Sequence, residues 1–332
     1  MKVLSAIYNE QKNAGPKAPR DIDKILEEEY GAENKSFLRT GNFKFKILLE
    51  FFKTMFSKEI IVLQYPLLYK ESFYNLLNKN RTIVLIHDIN ALRRKDEKDL
   101  KKEINILKKF KYIIVHNDKM KEYLLAKGIN KDNLYVLELF DYLAKGEINE
   151  KDISLNRDDI SLLYPGNLKR EKSPFVYQLD DNKINFKINL YGLGISENIS
   201  NKLIYMGSFE PDNINGLIGD IGLIWDGNFD ESDENDTFKN YTKYNNPHKL
   251  SCCMALGIPV IVWRKAAIAE FVKNNNVGYI VSSIYDINNI DFSDYELKRK
   301  NAINIGKKVR SGFYTKRIFN QILKNIEKNA KK

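Results

Sequence analysis

With 332 residues, 43% of them hydrophobic, the chain is long enough for two domains of ordinary size. Its net charge of +10 favours anionic partners such as nucleotides, phospholipid or nucleic acid, although a solvated lysine-rich surface explains it equally well. No apolar run reaches the roughly 18 residues that cross a bilayer, and the first residues turn polar too soon for a secretory signal. These features exclude a spanning helix and predict a cytoplasmic protein.

In the first half of the chain, short runs rich in β-branched and aromatic residues alternate with amphipathic helical patterns. This alternation is typical of βαβ units that build a parallel sheet. Several runs are continuously apolar, as expected for strands that are covered on both faces. The predicted strands are residues 3–8, 60–65, 82–87, 112–116 and 134–139, and the predicted helices are 21–30, 44–56, 98–109 and 119–127.

Between residues 141 and 159 the sequence is polar and charged without a sustained apolar period, which predicts a linker. A second βα series follows, with predicted strands at 160–164, 186–191, 203–206, 221–225, 259–263 and 278–281. The sequence therefore predicts domains at 1–150 and 151–315, and a C-terminal helix at 316–332 that packs back toward the first domain. The expected fold class is α/β, with two Rossmann-like domains facing each other across a ligand-binding cleft.

The residues YPGN, at 164–167, end the first predicted strand of the second series. Gly166 permits a ligand to approach the backbone, and Asn167 follows it. Lys169 and Arg170 lie at the predicted start of a helix, where they can meet a diphosphate. A structural turn without a ligand is the alternative, because PGN is common in turns.

A second candidate site lies in NNPHKLSCCMALGIPVIVW, which joins a helix to a buried strand. Pro247 suits a first helical turn, so the backbone N–H groups after Asn246 can receive an anion, and Lys249 adds a positive charge. A capped structural helix is the alternative. Cys252 and Cys253 are adjacent and lack a further ligand at metal spacing, so they are expected to be buried small side chains.

Several motifs together resemble those of a group of bacterial sugar transferases with the GT-B fold. The group includes β-1,6-galactofuranosyltransferases of O-antigen and capsule assembly and glucosyltransferases that extend N-acetylglucosamine on serine-rich adhesins. The resemblance covers most of the chain and implies a UDP-sugar donor and a glycan acceptor linked to lipid or protein. The motifs are YPGN with Lys169 and Arg170, GLIWDG at 222–227, NNPHK at 245–249, ALGIPVIVW, AAIAEFVKNNNVGYIV, and LIHDINALRR at 85–94.

The resemblance also implies which residues bind the donor. In the adhesin glucosyltransferases an Arg after PGN and a Lys in the helix before GIPVIV hold the UDP diphosphate, and Arg170 and Lys249 match them. Phe209, before a Glu-Pro-Asp sequence, is the nearest equivalent of an aromatic residue near the uracil, and the loop at 13–19 is expected to reach the donor. The expected donor-binding residues are Gly15, Gly166, Asn167, Lys169, Arg170, Phe209, Asn246, Pro247, Lys249 and Leu250.

The expected chemistry is inversion. Many retaining enzymes of this fold place two glutamates around this helix, but Tyr244 and Cys252 occupy those positions, and the relatives form β linkages from α-linked donors. Inversion requires a base that accepts the proton of the acceptor hydroxyl. Asp88 is the first candidate, followed by His87 and His116; the alternatives are that Asp88 caps a helix and that His116 fills the sheet.

No metal or other cofactor is expected, because Arg170, Lys249 and a helix N-terminus stabilise the departing charge. The Asp-x-Asp sequence at 21–23 begins a predicted helix, where it suits the helix dipole better than manganese. The acidic segment 226–236 is expected to be a lid or a solvated loop. Residues 45–56 are apolar on more than one face and flanked by lysines, which predicts contact with anionic lipid, a subunit contact, or packing inside the first domain.

The leading prediction is therefore a UDP-dependent hexosyltransferase, with galactofuranose favoured, in surface polysaccharide or glycoprotein assembly. One alternative is glucose transfer to N-acetylglucosamine of an adhesin. Another is a UDP-sugar 2-epimerase, which needs more acidic and His residues around the sugar than the 3 His of this chain supply. A non-enzymatic glycan- or nucleic-acid-binding module is the third, but no ribonucleoprotein motif supports it, and no nucleic-acid partner is expected. Peripheral contact with the inner face of the cell membrane and a homo-oligomer are left open.

Overall fold

The computed structural model describes residues 1–7, 16–38, 42–67, 71–150, 155, 159–196, 199–231 and 233–330. These residues form two compact units. Unit 1 comprises the described parts of 1–140 and 312–332, and unit 2 comprises the described part of 141–311. The chain therefore passes between the units after Phe140 and again after Ser311. The sequence suggests boundaries after residues 150 and 315, both later along the chain.

Unit 1 contains a parallel sheet in which each strand pairs in the same direction as its neighbours. Its strands are β1 (Lys2–Ile7), β2 (Glu33–Leu38), β3 (Ile61–Tyr65), β4 (Thr82–Ile86), β5 (Tyr112–Val115) and β6 (Leu134–Val136), in the order β2-β1-β3-β4-β5-β6. β3, β4 and β5 are buried along their whole length. Their largely apolar sequences are those of central strands covered on both faces.

β2 is a strand that the sequence patterns do not predict, because ENKSFL is polar and charged over its first half. It pairs with β1 from Lys2↔Glu33 to Ile7↔Leu38 and stands at the edge of the sheet. An edge strand meets water along one side and tolerates polar residues that a central strand excludes. Pairing with β1 therefore outweighs the weak strand pattern of this segment.

The helices of unit 1 are α1 (Lys17–Tyr30), α2 (Phe43–Met55), α3 (Asn90–Arg94), α4 (Glu97–Leu107), α5 (Asp118–Ala126) and the C-terminal helix α11 (Phe313–Ala330). α11 packs on α1, where the Tyr30 hydroxyl donates to the Lys316 carbonyl (3.2 Å) and the Tyr30 ring contacts the buried Phe319. The Arg317 guanidinium donates to the Leu137 carbonyl after β6 (3.0 Å). The C-terminal helix thus completes the core of unit 1.

Unit 2 contains a second parallel sheet, in the order β12-β11-β10-β7-β8-β9. Its strands are β7 (Ser161–Pro165), β8 (Lys187–Tyr191), β9 (Leu203–Tyr205), β10 (Ile221–Ile224), β11 (Val260–Trp263) and β12 (Gly278–Val281). Its helices are α6 (Phe175–Gln178), α7 (Thr237–Tyr241), α8 (His248–Leu256), α9 (Ile268–Asn275) and α10 (Tyr295–Arg310). Two parallel sheets flanked by helices confirm the predicted α/β class with two Rossmann-like domains. Among the described helices of both units, none is long and apolar enough to cross a membrane.

α8 packs closely on the sheet because Gly222 of β10 lies beneath Cys253, with too little room for a Cβ atom between them. Both cysteines are buried, as the sequence predicts. Gly257 ends α8 in the left-handed region (φ 72°), which glycine adopts without strain.

The prediction of a helix directly after YPGN was wrong. After β7 the chain turns, and α6 starts only at Phe175 and contains 4 residues. Pro174 explains the delay, because a residue before proline avoids helical geometry and proline itself suits the beginning of a helix. The buried Ser173 adds a constraint, since its hydroxyl donates to the Asn167 carbonyl (2.6 Å).

The first part of the predicted linker, residues 141–150, forms neither helix nor strand but is held against unit 2. The Tyr142 backbone N–H donates to the Val309 carbonyl (3.1 Å), and its hydroxyl donates to the Pro211 carbonyl (2.9 Å). Farther along, Glu150 pairs with Lys307 (2.9 Å). The polar composition of residues 141–150 is therefore that of a segment that packs on the surface of unit 2.

Candidate functional site

Glycines follow the carboxyl ends of β7, β8 and β9, which meet at one edge of the unit 2 sheet. The Gly166 N–H donates to the Tyr191 carbonyl, and the Gly192 N–H donates to the Gly207 carbonyl, both at 2.9 Å. A Cβ atom at Gly192 would overlap the Gly166 carbonyl oxygen, so only glycine fits there. Backbone groups therefore line this edge, the usual ligand position in open α/β sheets. We call it the glycine edge.

Two exposed cations stand beside the glycine edge in the turn after β7. The Asn167 side chain accepts from the Lys169 backbone N–H (2.8 Å), which fixes the turn. The Arg170 guanidinium lies 5.4 Å from the centre of the Tyr177 ring, and the Tyr177 hydroxyl donates to the Leu168 carbonyl (2.6 Å). The turn therefore holds Lys169 and Arg170 where a phosphate group can bind them.

Phe209 follows β9 and is half-buried. Its ring lies edge-on to that of Tyr191, with 6.4 Å between the centroids, so it belongs to the glycine edge. An aromatic ring at this place can stack on a base. Gly15, the other predicted contact outside the turn and α8, lies outside the described residues.

α8 starts one residue after its cap position at Pro247, with Asn246 buried before it. The structure describes α8 in full, and neither a side-chain cap nor an acidic residue lies in its first turn. The Leu250 N–H donates to the Pro247 carbonyl (2.9 Å). The helix N-terminus therefore keeps the partial positive charge that favours an anion.

Lys249 lies in that first turn, but its ammonium group is buried. Its Nζ donates to the Trp225 carbonyl (2.5 Å), an Asp226 carboxylate oxygen (2.7 Å) and the Tyr164 hydroxyl (3.1 Å). These three acceptors match the three N–H bonds of an ammonium group. The direct contact of Lys249 with a diphosphate therefore stays a prediction. In this structure Lys249 ties α8 to the ends of β7 and β10.

The acidic segment 226–236, described except for residue 232, is anchored at several points. Glu231 accepts from Trp263 Nε1 (3.0 Å) and Arg264 Nε (2.9 Å), and the Arg264 hydrogen bond is the main reason why the Glu231 pKa falls to about 2. Asp236 caps α7. The Lys239 ammonium is buried between the rings of Trp225 (4.0 Å) and Trp263, and burial lowers its pKa to about 8. These contacts hold the segment on the ends of β10 and β11.

Sequence reasoning missed some residues of this edge. Gly192 and Gly194 follow β8 as YGLG, and a G-x-G sequence directly after a strand is the signal that could have found them. The partner of Lys249, Asp226, gave no such signal, because nothing in WDG shows that its carboxylate is buried beside an ammonium group.

In unit 1, Asp88 follows β4 and is half-buried. Its carboxylate pairs with Arg93 (3.4 Å). Ile89 occupies the N-cap position of α3, and no side-chain hydrogen bond caps this helix. The alternative that Asp88 caps α3 is therefore wrong. Asp88 remains a candidate base.

His87, its neighbour, is oriented by a chain of buried polar groups. The Gln64 amide nitrogen donates to the Pro19 carbonyl (3.0 Å) and to Asp23, so the Gln64 oxygen must face His87 Nε2, at 2.5 Å. Because that oxygen only accepts, Nε2 must carry a proton, and in the neutral ring the lone pair is then on Nδ1. The ring stacks on Phe140 with 5.5 Å between the centroids. This tautomer can accept a proton at Nδ1.

His116, the other candidate base, is buried and 2% exposed. Its Nε2 donates to the Ile86 carbonyl (3.0 Å), and burial lowers its pKa to about 4, so it stays neutral at pH 7. Its ring packs edge-on against Phe140. These contacts favour the structural alternative for His116.

The interpretation of Asp21 and Asp23 as dipole partners was wrong. α1, described in full, begins at Lys17 and has no acidic residue in its first turn. Asp21 pairs instead with Lys17 (2.5 Å), and Asp23 accepts from the Ser5 hydroxyl (3.0 Å), all of them buried. Throughout the part of the chain that the structure describes, no group of three His, Cys, Asp or Glu side chains is placed to hold a metal ion.

Replacing Lys249 with Met should lower the free energy of unfolding by about 3–5 kcal/mol, because it leaves the Asp226 carboxylate buried without its partner. The double variant Lys249→Met with Asp226→Asn should regain most of that loss. Urea denaturation measures both, with Lys187→Met, at an exposed position on β8, as a control that changes little. If Lys249→Met unfolded with the same free energy as the wild-type protein, the buried ion pair of Lys249 and Asp226 would be contradicted.

Replacing Gln64 with Leu should release the tautomer of His87, because no acceptor then faces Nε2. The ¹⁵N imidazole shifts of the wild-type protein should show the proton on Nε2, and those of the variant a mixture of both tautomers. His116 serves as the internal reference. An unchanged spectrum in Gln64→Leu would disprove the role of Gln64.

Two family descriptions match the chain. "Glucosyltransferase 3-like, N-terminal domain" matches residues 1–139, and "Glucosyltransferase 3-like, C-terminal domain" matches residues 162–322. Among curated proteins, the chain is 30% identical over 282 residues to the beta-1,6-galactofuranosyltransferase WbbI of Escherichia coli K12, covering 82% of this chain and 81% of that protein. It is 24% identical over 277 residues to glucosyltransferase 3 of Streptococcus parasanguinis, covering 79% and 78%.

The fold is also that of solved glycosyltransferase structures. The structure of Anabaena Alr3699/HepE in complex with UDP and glucose matches with a TM-score of 0.60 at 13% identity, covering 99% of this chain and 100% of that one. Such a likeness concerns the fold, which is GT-B. With the two domain matches and the 30% identity over most of its length, the chain belongs to the glucosyltransferase 3-like family and is a glycosyltransferase.

Proposed function

We propose that this glycosyltransferase moves a hexose from a UDP-sugar to a glycan acceptor during assembly of a surface polysaccharide or glycoprotein. The observation that carries the proposal is the glycine edge with its exposed cations, Lys169 and Arg170. It offers backbone groups to a nucleoside and positive charge to a diphosphate. The HepE complex with UDP and glucose, a protein of the same fold, supports a UDP-linked donor.

Galactofuranose is the favoured sugar, because the 30% identical relative is a galactofuranosyltransferase. Glucose is the second candidate, since the Streptococcus relatives are glucosyltransferases; its acceptor would be N-acetylglucosamine of an adhesin. Mass spectrometry of UDP release from UDP-glucose, UDP-galactopyranose and UDP-galactofuranose distinguishes them. Because the chain belongs to a glycosyltransferase family, transfer of either sugar is favoured over a 2-epimerase activity and over a binding module without activity.

The proposed reaction is a single inverting displacement. The acceptor hydroxyl oxygen attacks the anomeric carbon while the bond from that carbon to the UDP phosphate oxygen breaks, and a base takes the hydroxyl proton. Arg170, Lys169 and the N-terminus of α8 stabilise the charge of the departing diphosphate, so no metal is required. Asp88 is the first candidate base, and His87 is the second.

The acceptor is proposed to be a glycan carried on a lipid or a protein at the cytoplasmic face of the cell membrane. Soluble and membrane-bound acceptors have the same reactive hydroxyl, so the glycine edge does not distinguish them. The proposal also includes a homo-oligomeric state of the enzyme. Sedimentation velocity measures that state.

Replacing Arg170 with Ala should weaken UDP binding about 10- to 100-fold, as expected for one or two hydrogen bonds to a charged group. Isothermal titration calorimetry measures this, with Lys187→Ala at the amino end of β8 as a cationic control that binds normally. The proposed function fails if the wild-type protein neither binds UDP nor slowly hydrolyses any UDP-sugar.

Replacing Asp88 with Asn should leave UDP binding unchanged and lower turnover about 10²- to 10⁴-fold, the usual contribution of a general base. His87→Gln is the parallel variant, and Glu122→Gln on the exposed face of α5 is the control. Wild-type turnover in Asp88→Asn together with a large loss in His87→Gln would transfer the role to His87.

A further inference from the structure

α2 is apolar on two opposite faces. On the inner face, Ile47 and Phe51 are 0% exposed, and Phe51 packs against Tyr74 in the core of unit 1. On the outer face, large apolar side chains meet solvent: Phe45 is 67% exposed, Leu49 46%, Phe52 54% and Phe56 76%. A surface helix of a globular protein normally carries polar residues on its outer face. The core of unit 1 therefore accounts for only one of the two faces.

The outer residues form one narrow stripe. At about 100° per residue, Phe45, Leu49, Phe52 and Phe56 fall within about 60° of one another around the helix axis. Phe56 directly follows the last helical residue, and its ring contacts that of Phe52 with 6.0 Å between the centroids. We call these four residues the outer stripe. Contiguous exposed apolar side chains of this size mark an interaction surface.

Lysines flank the outer stripe on both sides. Measured around the helix axis from the centre of the stripe, Lys46 and Lys53 lie about 70–90° to one side and Lys44 about 110° to the other, and all three are exposed. The one acidic residue of α2, Glu50, is turned away, since its side chain is 12% exposed and pairs with Lys53 and Lys2. The surface is therefore apolar along its centre and positive along its borders.

We infer that the outer stripe docks on an anionic membrane surface, with α2 lying in the plane of the lipid headgroups. The rings would enter the boundary of the acyl chains while the lysine stems reach out to lipid phosphates. The 13 residues of α2 span about 20 Å, which is too short to cross a bilayer and sufficient to lie on one.

Charge decides between a membrane and a second copy of the chain. If two copies paired through the outer stripe about a twofold axis, lysine borders would face lysine borders, and like charges oppose association. An anionic lipid surface is complementary to both borders at once. The net charge of +10 acts in the same direction.

The docking surface is inferred from α2 and Phe56 alone, whereas the role given to docking in the reaction rests on the proposed function. A transferase held at the membrane would meet acceptor glycans that are linked to lipid. This inference therefore selects the lipid-linked class from the two acceptor classes proposed above.

Co-sedimentation with vesicles tests the inference on the full chain. Wild-type protein should bind vesicles of equal parts phosphatidylcholine and phosphatidylglycerol, and binding should weaken with salt and be slight on phosphatidylcholine alone. The double variant Phe52→Ser with Phe56→Ser should bind at least about tenfold more weakly, because two exposed rings no longer enter the lipid. Leu297→Ser removes an exposed apolar side chain of α10, 54% exposed in unit 2, and should bind as wild type.

The triple variant Lys44→Gln, Lys46→Gln and Lys53→Gln should lose about a hundredfold on the anionic vesicles, with little change on phosphatidylcholine. Equal vesicle binding by wild type and the double Ser variant would overturn the inference. So would a wild-type dimer that ignores vesicles and dissociates in the double Ser variant, because the stripe would then join two copies.

UDP binding and slow UDP-sugar hydrolysis, measured on the same samples, keep the two proposals separate. Loss of vesicle binding with normal UDP binding in the Ser variant supports the docking surface. Vesicle binding by a wild-type protein that neither binds UDP nor hydrolyses UDP-sugars would leave the surface standing and refute the proposed function.

Discussion

A buried ammonium group and a buried carboxylate lose their hydration, and only close mutual hydrogen bonds offset that cost. Lys249 and Asp226 meet this condition in unit 2, because the Trp225 carbonyl and the Tyr164 hydroxyl satisfy the remaining ammonium protons. Burial and the nearby Asp226 raise the Tyr164 pKa, so the phenol stays protonated. These groups come from the ends of β7 and β10 and the first turn of α8. The pair therefore sets where the α8 N-terminus stands beside the glycine edge.

The two units use the same architecture for different chemistry. In unit 2 the carboxyl ends of the strands present glycine backbone and exposed cations, which suit the recognition of a phosphorylated ligand. In unit 1 the corresponding edge presents titratable side chains: Asp88 paired with Arg93, and His87 held by Gln64. The candidate anion-binding groups therefore lie at the end of one sheet, and the candidate proton acceptors lie at the end of the other.

Continuous apolar runs predicted the central strands of both sheets within a residue or two, because burial on both faces leaves a strong pattern. The same patterns did not predict β2, because its strand conformation depends on pairing with β1. α6 was misplaced because Pro174 outweighs the helical tendency of the residues after YPGN. Motif positions selected Lys169 and Arg170 as candidate donor contacts, and the structure places both residues, exposed, beside the glycine edge. The burial of Lys249 and the orientation of His87 by Gln64 depend on partners that are distant in sequence, which no local pattern records.

The packing of Lys239 between two indole rings gives the whole protein a spectroscopic property. The sequence contains 2 Trp, and both rings contact this one ammonium group, Trp225 at 4.0 Å and Trp263 at 4.8 Å. Their indole N–H groups donate to the Asn228 carbonyl and to Glu231, in the segment that follows β10. All tryptophan emission therefore originates beside the ends of β10 and β11. Unlabelled protein thus carries its own fluorescent reporter of events at this edge of unit 2.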